Sequence, residues 1–143
     1  MRLSKKRTRP EPVNLRVFAQ RYTAAWCSQN AASVAAFYSP NGSLSVNDGT
    51  PAVGREAITG VVQGFMTGFP DMTVHMDGLD VHRNRTRYRW TLVGTNAGPG
   101  GTGKRVRISG FEEWQIGAEG LIAESKGHFD AAAYQQQLER GVD

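Results

Sequence analysis

"RTRYRWTLVGTNAGPGGTGKRVRISGFEEWQI", Arg85 to Ile116, alternates twice around a cluster of glycines. Successive side chains of a strand point to opposite faces, so each half splits into two sets. Tyr88, Trp90, Leu92, Gly94 and Asn96 fall on one face of the first half; Arg85, Arg87, Arg89, Thr91, Val93 and Thr95 fall on the other. In the second half Val106, Ile108, Gly110, Glu112, Trp114 and Ile116 oppose Arg105, Arg107, Ser109, Phe111, Glu113 and Gln115. Gly98 to Gly103 therefore reads as a hairpin between two long antiparallel strands, with one apolar and one charged face.

Working outward, Met72 to His82 reads as the preceding strand, with a bulge or kink at Asp77-Gly78. Leu121 to Phe129 reads as the following one, and Ala131 to Glu139 as a closing helix. Upstream the apolar period lengthens. Val13, Val17, Tyr22 and Trp26 make a helical stripe, and Ala31 to Tyr38 a second helix. Ser39-Pro40-Asn41-Gly42 reads as a turn, Ser43 to Val46 as a short strand, and Asp48 to Pro51 as a loop. Gly54 to Phe69 reads as a third helix, with Ile58, Val61, Val62, Phe65 and Met66 on one side. The expected class is α+β: helices on one face of an antiparallel sheet, in a single domain over residues 13–143.

The chain has 143 residues, enough for one sizeable core. Of its 17 Lys and Arg, five lie in residues 1–10, leaving twelve against 13 acids in the rest. The basic excess thus belongs to residues 1–12, expected to be a disordered, solvated tail. A body without net positive charge makes nucleic acid an unexpected partner. Alternating arginines facing Glu113 and Gln115 instead suggest a salt-bridged outer face or a homodimer surface. Cys27 is the single cysteine, which rules out an internal disulfide and a paired-cysteine metal site. His75, His82 and His128 have no metal-ligand spacing, and no metal or cofactor is expected. "GPGGTGKR" nearly fits a phosphate loop, but Arg105 stands where Ser or Thr is needed and a strand follows. No apolar run is long enough to span a membrane, and MRLSKKRTRP lacks the apolar stretch of a secretory leader. A cytoplasmic location is expected.

Candidate site residues are polar groups on apolar faces. Glu112 and Asn96 share the inward face with Trp90 and Trp114, and a buried carboxylate needs a partner or a neutralising proton. Asp130 directly precedes the last helix, where Asp is a preferred cap; it is equally placed to act as a base at the mouth of a pocket. His128, two residues earlier, could orient it or share its proton. Trp26, Trp90, Trp114 and Phe65 are the expected walls, suited to a small apolar or aromatic ligand.

The segments "FAQRYTAAWCSQNAASVAAFYSPNGSL", "VGREAI", "FPDMTV", "WTLVGTN" and "HFDAAAYQQQL" occur in an order that resembles the nuclear transport factor 2-like superfamily. The likeness is nearest to SnoaL-like polyketide cyclases and ketosteroid isomerases, over about Val13 to Leu138. It implies an α+β cone in which a curved antiparallel sheet wraps around the helices and encloses a deep pocket. By that resemblance Asp130 matches the cyclase base, and Asn96 stands where the cyclases often carry histidine; an amide donates a hydrogen bond but exchanges no proton near neutral pH. Tyr22 and Glu112 match the two oxyanion donors of the isomerases, whereas Val46 stands near their base. The implied function is a cofactor-independent cyclase, isomerase or hydratase acting on an apolar cyclic carbonyl compound. The alternative is a non-catalytic binding or dimerisation module of the same fold.

Overall fold

The computed structural model describes residues 14–142, so the expected basic tail lies outside the described residues. The Asn14 side chain caps helix α1 (Leu15–Trp26) by accepting from the Val17 amide at 3.1 Å. That helix buries Ala19, Tyr22, Ala25 and Trp26, a stripe at helical spacing. Asn30 caps the short α2 (Ala31–Ala35) in the same way. Strands β1 (Tyr38–Val46) and β2 (Ala52–Val53) follow, then α3 (Arg55–Gly68), which buries Ile58, Val62 and Met66 completely. Strands β3 (Thr73–His82), β4 (Arg85–Thr95), β5 (Arg105–Ile116) and β6 (Ile122–Phe129) then run in sequence to α4 (Ala131–Arg140).

The sheet has the order β2-β1-β6-β5-β4-β3. The four long strands form the expected antiparallel meander, with a register shift between Met76 and Gly78 where a kink was expected. Tyr88 pairs with Glu112 and Trp90 with Gly110, which sets the inward residues of β4 and β5 side by side.

Two expectations fail around residues 36–42. The second helix stops at Ala35 instead of reaching Tyr38, and Ser39 to Gly42 lie within β1 instead of forming a turn. The reason is a long-range pairing. β1 runs parallel to β6, Ser43 beside Glu124 through Val46 beside Gly127, and the register breaks between Tyr38 and Ser43. The Ser-Pro-Asn-Gly stretch occupies that break, where Pro40 removes no regular ladder bond. Gly42 is required there, because a Cβ would sit 2.8 Å from the Ile122 carbonyl oxygen. A parallel partner some 80 residues away leaves no local signature.

The outer sheet face is ion-paired as expected. Arg87 meets Glu113 at 2.5 Å and Arg89 meets Asp80 at 3.1 Å, while the Arg87 guanidinium lies 4.2 Å over the Phe111 ring. Such exposed pairs contribute little to stability individually. Asp71 does more than pair with Arg105: its carboxylate accepts from the Thr95 amide and hydroxyl, both at 2.7 Å, and ties the start of β3 to β4. Those hydrogen bonds, the Thr95 amide first, hold its pKa below the ordinary value. A depressed acid stabilises the fold above its unfolded pKa and loses that contribution as pH falls through the folded one. The stability advantage of the wild type over Asp71→Ala is therefore expected to be full at pH 7 and to shrink on acidification. Urea midpoints at neutral and acid pH check this.

Candidate active site

Glu112 sits in the middle of β5, pointing inward and only 7% exposed. Three elements converge on one of its oxygens. The Tyr22 hydroxyl, from α1, donates to Oε1 at 2.9 Å; Trp114 Nε1, two residues along the same face, donates at 2.7 Å; Ser125 Oγ, from β6, donates at 2.9 Å. The Tyr38 hydroxyl lies 2.9 Å from that of Tyr22 and extends the network to β1. Burial pushes the Glu112 pKa up, and its three donors, Trp114 foremost, act against that shift. Burial, then the charge of Glu112, raises the pKa values of Tyr22 and Tyr38 far above the ordinary tyrosine value, so both remain donors.

This arrangement decides where a proton can sit. Oε1 already accepts three hydrogen bonds, so a protonated Glu112 must carry its hydrogen on Oε2. Among the described residues Oε2 has no hydrogen-bond partner, and Glu112 is the one acidic side chain lining a cavity inside the cone. That cavity opens to solvent at its mouth. Its walls are otherwise apolar and aromatic, with Trp26 and Phe65 edge to face at 6.1 Å and Trp90 and Phe129 at 6.0 Å. Trp90 Nε1 is buried and has no hydrogen-bond partner among the described residues. A buried carboxyl with one oxygen unpaired among the described residues thus borders an otherwise apolar cavity.

The residues expected from the sequence divide. Trp26, Trp90 and Phe65 line the cavity as expected. Tyr22 and Trp114 join Glu112 but lie behind it, both fully buried; Trp114 stacks on Tyr88 at 4.9 Å and is a hydrogen-bond donor to the carboxyl, not a wall. Asn96 borders a separate surface hollow and donates from Nδ2 to Thr102 Oγ1 at 3.1 Å. His128 lies on the outer face, its ring 5.0 Å from that of Phe111. The inward side of β6 is Ser125, Gly127 and Phe129, so His128 shares the outward phase of Lys126.

Asp130 is exposed and outside the cavity lining; its Oδ1 accepts from the Ala133 amide at 3.0 Å. The geometry supports the cap role alone, because the carboxylate follows the end of the strand and turns to the helix N-terminus. Asp130→Ala is expected to cost about 1 kcal/mol of stability, while Asp130→Asn keeps the cap. Denaturation midpoints check both. Sequence reading missed Ser125 and Tyr38. A signal for Ser125 existed: it is the small polar residue on the face that also holds Gly127 and Phe129, and it pairs with Trp114.

Known proteins share this architecture. The model of the SnoaL-like polyketide cyclase family matches residues 16–138. The chain belongs to that family. Its SnoaL-like fold recurs at low identity. A hypothetical protein from Catenulispora acidiphila with a ketosteroid isomerase-like fold, solved with trimethylamine, is 16% identical, with 91% of this chain and 93% of that one covered at a TM-score of 0.72. TsrD from Streptomyces laurentii is 17% identical over 87% of this chain and 93% of its own, at a TM-score of 0.74. The epoxide hydrolase/cyclase-like enzyme SalBIII, with a role in pyran ring formation in the polyether salinomycin, is 13% identical over 82% and 92%, at 0.71. No match is found among curated protein sequences. Among the described residues, no helix of this SnoaL-like chain is long and apolar enough to cross a membrane, and no cluster of three His, Cys, Asp or Glu is arranged to hold a metal ion.

Proposed function

We propose that this SnoaL-like protein is a cofactor-independent small-molecule enzyme of cyclase or isomerase type, in which Glu112 moves the proton. The observation that carries this is the asymmetry of its carboxyl: three donors on Oε1, and Oε2 left for a ligand. Ionised, Oε2 takes a proton from a carbon next to a carbonyl. The C–H electron pair becomes the enolate, and Glu112 holds the proton until it is returned to carbon or oxygen. Tyr22, Trp114 and Ser125 steady the ionised carboxylate, and apolar walls exclude water. Trp90 contributes its ring to those walls. Isomerisation follows if the proton returns to a different carbon, and cyclisation if the enolate carbon attacks a second carbonyl. A homodimer through the outer sheet face belongs to the same proposal, supported by the partly exposed Phe111 on that face.

The second reading is a binding module. What favours it is that, among the described residues, Glu112 is the one acid lining the cavity, with no second carboxyl there as its partner. Exchange of the acidic α-hydrogens of β-tetralone in deuterium oxide, followed by proton NMR, separates the two. The enzyme reading expects exchange well above the buffer rate in the presence of protein. Binding of β-tetralone, seen as quenched tryptophan fluorescence, without faster exchange would make the protein a binding module.

A further inference from the structure

The surface hollow beside the cavity is not an isolated dent. It is bordered by Gly64, Gly68 and Phe69 at the end of α3, by Asn96 after β4, and by Leu138 on α4. It shares Val61, Phe65 and Tyr134 with the inner cavity, so the same three side chains form the partition between the two. Tyr134 is half-buried, 5.2 Å from the Phe129 ring on the cavity side and 6.4 Å from Phe69 on the hollow side. Its hydroxyl has no hydrogen-bond partner among the described residues. Asn96 uses Nδ2 on Thr102 and leaves Oδ1 without a donor among the described residues. Val61 and Phe65 belong to α3, and Tyr134 to α4, which buries none of its residues and is held at its far end by Thr102 Oγ1 donating to the Leu138 carbonyl at 2.6 Å and by the Arg107 amide donating to Gln137 Oε1 at 2.7 Å.

We propose that the hollow is the outer compartment of the same binding site, and that the ligand is elongated: an apolar ring body in the inner cavity joined to a hydroxylated appendage of about sugar size in the hollow. Asn96 Oδ1 and the Tyr134 hydroxyl take the hydroxyl groups of the appendage, and Phe65 and Tyr134 close on the linkage between the halves. This rests on the reading of the inner cavity as a ligand site. It also gives Asn96 a task that its place away from Glu112 leaves open: binding the appendage, with no part in proton transfer.

Gly64 permits a clean test. A Cβ there meets nothing within 4 Å, so Gly64→Leu fills the hollow without crowding the core, and leucine is the better helix former. Dissociation constants for β-naphthol and β-naphthyl glucoside, by tryptophan quenching, would be compared for the wild type, Gly64→Leu and Asn96→Ala, with circular dichroism to check folding. The wild type is expected to bind the glucoside about tenfold more tightly than naphthol, the worth of one or two net hydrogen bonds. Gly64→Leu should abolish that preference and leave naphthol binding unchanged; Asn96→Ala should reduce it by about threefold or more. Naphthol bound with no gain for the glucoside, or a Gly64→Leu variant that weakens both equally, overturns the outer compartment alone. Failure of naphthol to bind overturns the inner cavity as a ligand site, and this inference with it.

Discussion

Replacing Glu112 by Gln is expected to leave the fold intact and to slow β-tetralone exchange by about 10²- to 10⁴-fold, the range that one positioned acid or base supplies. The amide oxygen can keep Tyr22, Trp114 and Ser125 paired, while the NH₂ group takes the place of Oε2 and cannot accept a proton. A carbon NMR titration of the wild-type carboxyl should place its midpoint above the ordinary value of 4.5, because burial disfavours the charge. The sign for stability follows. An acid whose folded pKa is raised contributes stability fully below its unfolded pKa and loses it as pH rises through the folded value. Wild-type stability relative to Glu112→Gln should therefore fall as pH rises through that window and then level off. Unchanged exchange in Glu112→Gln would end the proposed mechanism. A midpoint at or below the ordinary value would remove its electrostatic basis.

Trp114→Ala should be among the most damaging single changes, costing about 3–5 kcal/mol in urea denaturation. The side chain is fully buried, stacked on Tyr88 and edge-on to Tyr22 at 5.1 Å and to Phe18 at 5.7 Å. Its loss opens a cavity that three aromatic neighbours cannot close by rotation, and it takes one donor from Glu112. Trp114→Phe separates packing from hydrogen bonding. It keeps most of the stack, removes the N–H, and should raise the Glu112 midpoint further, since Trp114 is the foremost hydrogen bond holding it down. An unmoved midpoint in Trp114→Phe would show that the indole only packs.

The phase of β4 and β5 is where sequence reading reached the site. Both strands alternate without interruption over about ten residues, and Glu112 stands out as an acid among Val106, Ile108 and Trp114. An unpaired buried carboxyl is costly enough that its position alone announces partners. The phase of β6 was less legible. Only eight residues long, it mixes polar and apolar side chains on both faces, so counting back from Asp130 puts His128 and Asp130 together without showing which way they point. The structure resolves this through pairing: Ser125 opposite Trp114 fixes the inward side, and the carboxylate of Asp130 is spent on the Ala133 amide.

By itself the sequence determined the order of the helices, the four-stranded meander, the charged and apolar faces of β4 and β5, and the apolar setting of Glu112. All of these rest on period and composition within one segment. Tertiary structure alone decided that β1 runs parallel to β6, that Tyr22, Trp114 and Ser125 meet on a single oxygen of Glu112, and that Asn96 opens onto a second hollow. The physical reason is sequence distance. Tyr22 and Glu112 are 90 residues apart, and a hydrogen bond across that gap depends on how whole elements pack, which no local pattern records.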